Sequence, residues 1–276
     1  MSTRLRDLMM GELGALRYEP TEKRIRGTLG GTTVVDSTSA LLVWEPKRVV
    51  PTYAVPAADV AAELIPSGER IDEPAGIPAM GAPQLGDRPV LDPSIPFAVH
   101  TTTGEPLTAR AGGAEAAAFR PSDPALDGYV LLEFEAFDAW YEEDEPNVAH
   151  PRDPFHRIDI VHSSRHVLVE LDGATLAEST RPCLLFEPPL PVRCYLPRDD
   201  VRMDLLAPSE TRTACAYKGQ ASYLSTATDD DVAWYYPEPL REAAEVTGRI
   251  AFFNELADVV IDGERRERPV TPWSRR

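Results

Sequence analysis

Cysteine is scarce in this chain: there are three, Cys183, Cys194 and Cys215, all in the second half. An odd, sparse set fits thiols kept reduced inside a cell better than a disulfide framework, and the absence of any CxxC pair excludes a four-thiolate zinc site. Long apolar runs are missing too. Nothing from Met1 to Pro20 resembles a signal-peptide core, and no later stretch approaches the length of a membrane-spanning helix. A cytoplasmic protein without a membrane partner is therefore expected. Positive charge is in short supply, with 28 Lys and Arg against 45 Asp and Glu and a formal net charge of -17. Such a balance repels phosphate backbones and anionic lipid, so nucleic acid is not an expected partner. The chain also has no G-x-S-x-G elbow and no glycine-rich phosphate loop opening a helix, so no cofactor is implied. Lysine occurs only at Lys23, Lys47 and Lys218 while arginine is abundant. A compact, movable ammonium at Lys218 thus stands out against a background of guanidinium groups.

What is present is one unit written twice. Lys23 to Ser67 realigns on Arg165 to Ser209. The first copy reads Gly31-Thr-Thr-Val-Val-Asp-Ser-Thr38, Leu41-Leu-Val-Trp-Glu-Pro46, Tyr53 and Pro56. The second reads Gly173-Ala-Thr-Leu-Ala-Glu-Ser-Thr180, Cys183-Leu-Leu-Phe-Glu-Pro188, Tyr195 and Pro197. A one-residue slip near Pro56 and Pro197 is needed. The match resumes with Gly104 on Gly219, Pro121 on Pro237 and Gly128 on Gly248. Shared glycine, proline and apolar positions in one order mark an internal duplication. The expected domains are residues 1–145 and 146–276.

Alternation and turn residues predict short strands throughout. In the second copy these are His166 to Leu171, Ala174 to Glu178 after an Asp172-Gly173 hairpin turn, Cys183 to Phe186, Arg193 to Leu196, Thr213 to Tyr217, Ala221 to Thr226, Val232 to Tyr236, Arg249 to Asn254 and Val259 to Ile261. Helix is minor, confined to a turn or two within Asp199 to Leu206 and Leu240 to Val246. The fold class is mainly β: two tandem, duplicated domains of short antiparallel strands, arranged as a sandwich, barrel or tent. From about residue 68 to 99 the first copy carries a proline-rich insert, including Pro74, Pro78, Pro83, Pro89, Pro93 and Pro96. It is expected to lie across a surface as an extended loop, serving as edge cover or as a lid.

Four of the five histidines gather between the copies, at His150, His156, His162 and His166. Their spacing matches no tight ligand motif, so an ordered linker is expected there and no metal site. The candidate site is instead Cys215-Ala-Tyr-Lys-Gly-Gln-Ala-Ser-Tyr223, where a thiol and a phenol two residues apart would share one strand face and Lys218-Gly219 would make the bend. The first copy has His100 and Thr101-Thr-Thr103 at Cys215 to Lys218, and Ala118 at Trp234. Tyr236 would add a second pocket wall, and Arg198 or Arg202 would face an anion. Between Arg193 and Gly219 five basic residues stand against four acidic ones. Three readings stay open: a pocket for a small polar or anionic molecule lined by Arg198, Arg202, Tyr217, Tyr223, Trp234 and Tyr236; a thiol-dependent enzyme in which Cys215 is the nucleophile and Lys218 lowers its pKa; and a structural or interaction module in which Cys215 and Trp234 are simply core residues.

The runs Pro197-Arg-Asp-Asp-Val-Arg-Met-Asp-Leu205, Cys215-Ala-Tyr-Lys-Gly219 and Ala233-Trp-Tyr-Tyr-Pro-Glu-Pro239, with Glu142-Glu-Asp-Glu145 and His150-Pro-Arg-Asp-Pro154 between the copies, resemble the family catalogued as domain of unknown function 427 in its tandem two-copy form. The family commonly has a proline after the cysteine, where this chain has Ala216. The resemblance spans nearly the whole chain and implies β-tent domains without zinc cysteines. It carries no activity across.

Overall fold

The structure, a computed structural model, describes residues 2–68, 71 and 88–275. Pro74, Pro78 and Pro83 of the expected surface loop lie outside those residues. The chain divides into two compact units, one ending at Asp153 and the other beginning at Pro154.

The first unit opens with a helix, α1 (Leu5–Gly11), that the sequence pattern did not reveal. Its strands are β1 (Arg17–Pro20), β2 (Ile25–Leu29), β3 (Thr32–Ser37), β4 (Leu41–Trp44), β5 (Thr52–Pro56), β6 (Glu63–Pro66), β7 (Gly104–Ala111), β8 (Ala114–Pro121), β9 (Tyr129–Leu132), β10 (Ala139–Glu142) and β11 (Glu145–Asn147). They form a seven-stranded sheet in the order β1-β4-β5-β9-β8-β7-β6 and a four-stranded sheet in the order β11-β10-β2-β3. The second unit repeats the plan with β12 (Asp159–His162), β13 (Val167–Leu171), β14 (Ala174–Ser179), β15 (Cys183–Phe186), β16 (Arg193–Pro197), β17 (Ala207–Cys215), β18 (Gly219–Ser225), β19 (Ala233–Tyr235), β20 (Arg249–Phe252), β21 (Asp258–Ile261) and β22 (Glu264–Arg265). Its sheets run β12-β15-β16-β20-β19-β18-β17 and β14-β13-β21-β22. All named strand pairs are antiparallel. The fold is mainly β in two similar halves.

Local chemistry explains much of this. The β13–β14 turn needs two left-handed residues, and Asp172 and Gly173 supply φ of 50° and 81°. The segments expected to be weakly helical are single 3-10 turns at Arg198–Asp200 and Met203–Leu205 and a longer one at Arg241–Val246. The region between the copies is less of a linker than expected. It supplies β11 to the first unit and β12 to the second, because Asp159 to His162 pairs along Phe186 to Cys183.

The inner strands of each large sheet are buried on both faces. In the second unit Leu184, Cys194, Leu196, Leu224, Ala233, Ile250 and Phe252 pack against Val167, Val169 and Val259 of the smaller sheet. The opposite face carries Cys183, Tyr195, Ala221, Tyr223, Trp234, Tyr236 and Phe253. Residues directly opposed across an antiparallel sheet share a face, and Cys183, Tyr195, Ala251, Trp234 and Tyr223 form one such row.

The register corrects one alignment made from the sequence. Leu41 pairs with Ala54 and Ala54 with Leu131, whereas Cys183 pairs with Tyr195 and Tyr195 with Ala251. Tyr195 therefore occupies the place of Ala54, not of Tyr53. The slip lies in the preceding loop, which spans 45–51 in the first copy and only 187–192 in the second. One residue fewer moves the tyrosine to the other face of its strand.

The smaller sheet of the first unit depends on a close approach. Gly27 lies opposite Trp140, and a Cβ on Gly27 would stand 2.7 Å from the indole Cζ3. That ring is buried and its Nε1 donates to the Phe134 carbonyl at 3.0 Å, so it has little room to yield. The second copy has Val169 opposite Val259 at this step. Gly27→Ala is expected to lower stability by about 1–3 kcal/mol. An unchanged urea midpoint would show that the indole can move aside.

Candidate functional site

The turn Ala216-Tyr217-Lys218 joins β17 to β18, with Gly219 at φ 93° opening the second strand. This differs from the expectation of a strand through Tyr217. Since β17 ends at Cys215, Cys215 and Tyr217 are not two positions of one alternating face. The glycine is required by more than its φ, because an added Cβ would meet the Glu238 carbonyl at 3.3 Å.

Lys218 is buried, and its Nζ donates to the Glu187 carboxylate in a close ion pair. The ring nitrogen Nε2 of His156 lies 3.6 Å from the other oxygen of Glu187. Burial works to lower the Lys218 pKa, but Glu187, joined by Cys215, Tyr236 and Tyr195, more than offsets it and holds the ammonium well above its usual range. Burial likewise pushes Glu187 up, and Lys218 and His156 together reverse this, bringing the carboxyl down to about 2. Cys215, Tyr236 and Tyr195 also lie within charge range of the ammonium. Burial pushes the Tyr195 phenol up to about 12 and that of Tyr236 well above its usual value, so both are neutral hydroxyls at ordinary pH.

Aromatic rings frame this pair. Tyr217 stacks on His156 with centroids 5.8 Å apart, and the Arg157 guanidinium sits 5.3 Å from the same ring. Trp234 donates from Nε1 to the Tyr195 hydroxyl at 3.0 Å. Tyr223 exchanges a hydrogen bond with Thr213 at 2.8 Å and stacks on Phe253. Beside them the buried Arg193 makes two 2.7 Å bonds to Glu255 and lies near Trp234, Phe253 and Trp273. Cys215 is the one cysteine of the three that is not buried. It makes no side-chain hydrogen bond among the described residues.

The structure thus brings Cys215, Tyr217, Lys218 and Tyr236 together, with Trp234 joined through Tyr195 and Tyr223 through Phe253. Arg198 and Arg202 fall outside this group. Both are exposed, Arg198 on the 3-10 turn after β16 and Arg202 just before the next, and Arg202 is held by Asp204 at 2.6 and 2.9 Å. The residues that sequence reasoning missed are Glu187, His156 and Tyr195. Glu187 carried a signal, since Glu45-Pro46 recurs as Glu187-Pro188. Glu45 is buried in turn and is held by His100 at 2.8 Å and by the amides of Thr101 and Thr102 at 3.0 and 3.1 Å. The other linker histidines have separate partners: the Pro151 carbonyl for His150, Glu178 for His166, and Cys183 with Glu245 for His162.

The model of the family described as Domain of unknown function (DUF427) matches residues 17–72 and 159–263, over half of the chain. The chain belongs to this family. Its two matched segments fall one in each compact unit, in keeping with the duplication. No curated protein matches the chain. Among the described residues no helix is long and apolar enough to cross a membrane.

The ion pair makes two measurable demands. Lys218→Met leaves a buried carboxylate without its ammonium and is expected to cost about 3–5 kcal/mol, whereas Lys218→Met with Glu187→Leu should recover most of it. Urea unfolding at pH 7 tests this, and a single variant as stable as the parent would contradict it. Glu187 has its folded pKa depressed to about 2 from an ordinary 4.5. Its contribution is complete above the higher value and is lost as pH falls through the window toward the lower one. Stability measured from pH 5 to pH 2 should therefore fall less steeply in Glu187→Gln than in the parent.

Proposed function

We propose that this is a cytoplasmic protein of two β-tent-like domains whose C-terminal unit binds a small polar molecule at the turn holding Cys215, Tyr217 and Lys218. One observation carries the reading: a buried ammonium–carboxylate pair with two neutral tyrosine hydroxyls around it and a partly exposed thiol at its edge. Such a set offers a donor, an acceptor and a neutral rim to a ligand, and binding sites combine apolar walls with a few convergent polar groups in this way. The first copy has a different partner for its glutamate and lacks the thiol, phenol and ammonium together. A strongly anionic ligand is less favoured than a neutral polar one, because Glu187 already compensates Lys218 and Arg202 is engaged by Asp204.

The structural reading keeps a specific observation in its favour: Tyr217, Lys218, Tyr223, Trp234 and Tyr236 are all buried. Catalysis by Cys215 is favoured less, since no described histidine hydrogen-bonds its thiol.

Iodoacetamide labelling of the folded full chain separates these accounts, with the buried Cys194 as internal reference. Under the binding reading Cys215 labels at least about tenfold faster than Cys194, and a bound polar ligand slows it. If Cys215 labels only when the protein unfolds, the turn is core and the binding reading fails.

A further inference from the structure

A second constellation of reactive side chains lies away from the Lys218 turn. Cys183, on β15, faces His162, its cross-strand neighbour on β12. The Sγ lies 3.2 Å from Nδ1 of His162, and Nε2 of that ring lies 2.8 Å from Oε2 of Glu245, on the 3-10 turn Arg241–Val246. A carboxylate at Nε2 keeps the proton on that nitrogen, so Nδ1 presents its lone pair to the thiol. The order is nucleophile, base and orienting carboxylate. The charged groups facing the thiol are Arg249 and Glu245, and burial pushes the thiol pKa up, so its resting form is S–H donating to Nδ1.

The first copy serves as a control built into the chain. Leu41 stands at Cys183 and Pro20, its cross-strand partner, at His162. Counting back from the paired Gly128 and Gly248, Ala125 stands at Glu245. All three positions are inert there while the sheet is the same, so the fold does not require the triad. Nor does packing explain His162 and Glu245, whose side chains are 67% and 57% exposed.

We propose that Cys183, His162 and Glu245 form a peroxide-reactive thiol site. The closed surroundings of the sulfur select a small oxidant such as hydrogen peroxide. His162 takes the thiol proton as the sulfur attacks one peroxide oxygen and the O–O bond breaks. The sulfur gives up two electrons and becomes a sulfenic acid; the leaving oxygen recovers the proton from His162 and departs as water. His162 is the catalytic base, and Glu245 is a positioning residue that holds its tautomer. This site is independent of the ligand reading at Lys218.

The test treats the folded full chain with hydrogen peroxide and follows oxidation of each cysteine by peptide mass spectrometry. Cys194 is the reference, with no described histidine partner and a thiol pushed up to about 11 by burial. Cys183 is 0% exposed and Cys194 9% exposed, so access alone would make Cys183 the slower. The proposal reverses that order, with Cys183 oxidised at least about tenfold faster. His162→Phe, which keeps the bulk and removes the base, should bring Cys183 to the rate of Cys194 or below. Glu245→Gln should slow Cys183 severalfold and move the acid limb of its rate–pH profile to lower pH, a change that mere loss of packing would not produce. The proposal is overturned if Cys183 reacts no faster than Cys194, or if His162→Phe leaves its rate unchanged or raises it.

Discussion

A carboxylate that follows a central strand and is cut off from water must be met by something, and in both halves of this protein that need shapes the surrounding chain. Glu45 and Glu187 follow β4 and β15 and are both buried. Leaving either without partners would cost several kcal/mol. In each copy the residues just before the strand that begins at Gly104 or Gly219 return to meet the acid. The first copy answers with an imidazole and two backbone amides, the second with an ammonium and an imidazole from the preceding segment. The same demand has thus been met by an imidazole and backbone amides at one site and by an ammonium with an imidazole at the other. Only the second solution places a fixed, deprotonation-resistant cation beside hydroxyls and a thiol.

The second determinant is a single residue of loop length. With six residues instead of seven between the paired strands, β16 presents Tyr195 where β5 presents Ala54. Tyr53, one position earlier on its strand, points into the core between the sheets, where its ring packs on Trp140 and its hydroxyl donates to Glu142 at 2.9 Å. Tyr195 instead joins the opposite face and accepts from Trp234. Side-chain period two makes such a change all-or-none along the strand. The aromatic face beneath Lys218 therefore follows from a shortened loop as much as from new aromatic residues.

How much of this could be read beforehand follows from which features are local. Strand positions in the second copy were legible because alternation and turn residues act over a few neighbours, and Cys183–Phe186 begins and ends where its apolar run does. The clustering of Cys215, Tyr217 and Lys218 was legible because they adjoin in sequence. The pairing of Lys218 with Glu187 spans 31 residues and depends on how a turn folds back over the sheet, which no local pattern encodes. Tyr195 was misaligned because a shared tyrosine and proline outweighed the register, and register is a property of paired strands. The strand β12 was hidden among histidines and charges, since its four residues are mostly exposed and lack an apolar stripe.

The arginines show why counting charge along a segment misleads. Five basic residues against four acidic ones between Arg193 and Gly219 gave the impression of an anion-attracting surface. In the folded chain Arg193 is consumed by Glu255, which lies 62 residues away. Asp200 is taken by Arg181, from before the segment, and Arg202 by its own near neighbour Asp204. A field at the surface is set by charges left uncompensated at contact distance, not by their tally in sequence. Lys218, the segment's other buried cation, is likewise matched by a carboxylate. Around that turn lie oriented dipoles and hydroxyls about a closed pair, so its long-range field is weak.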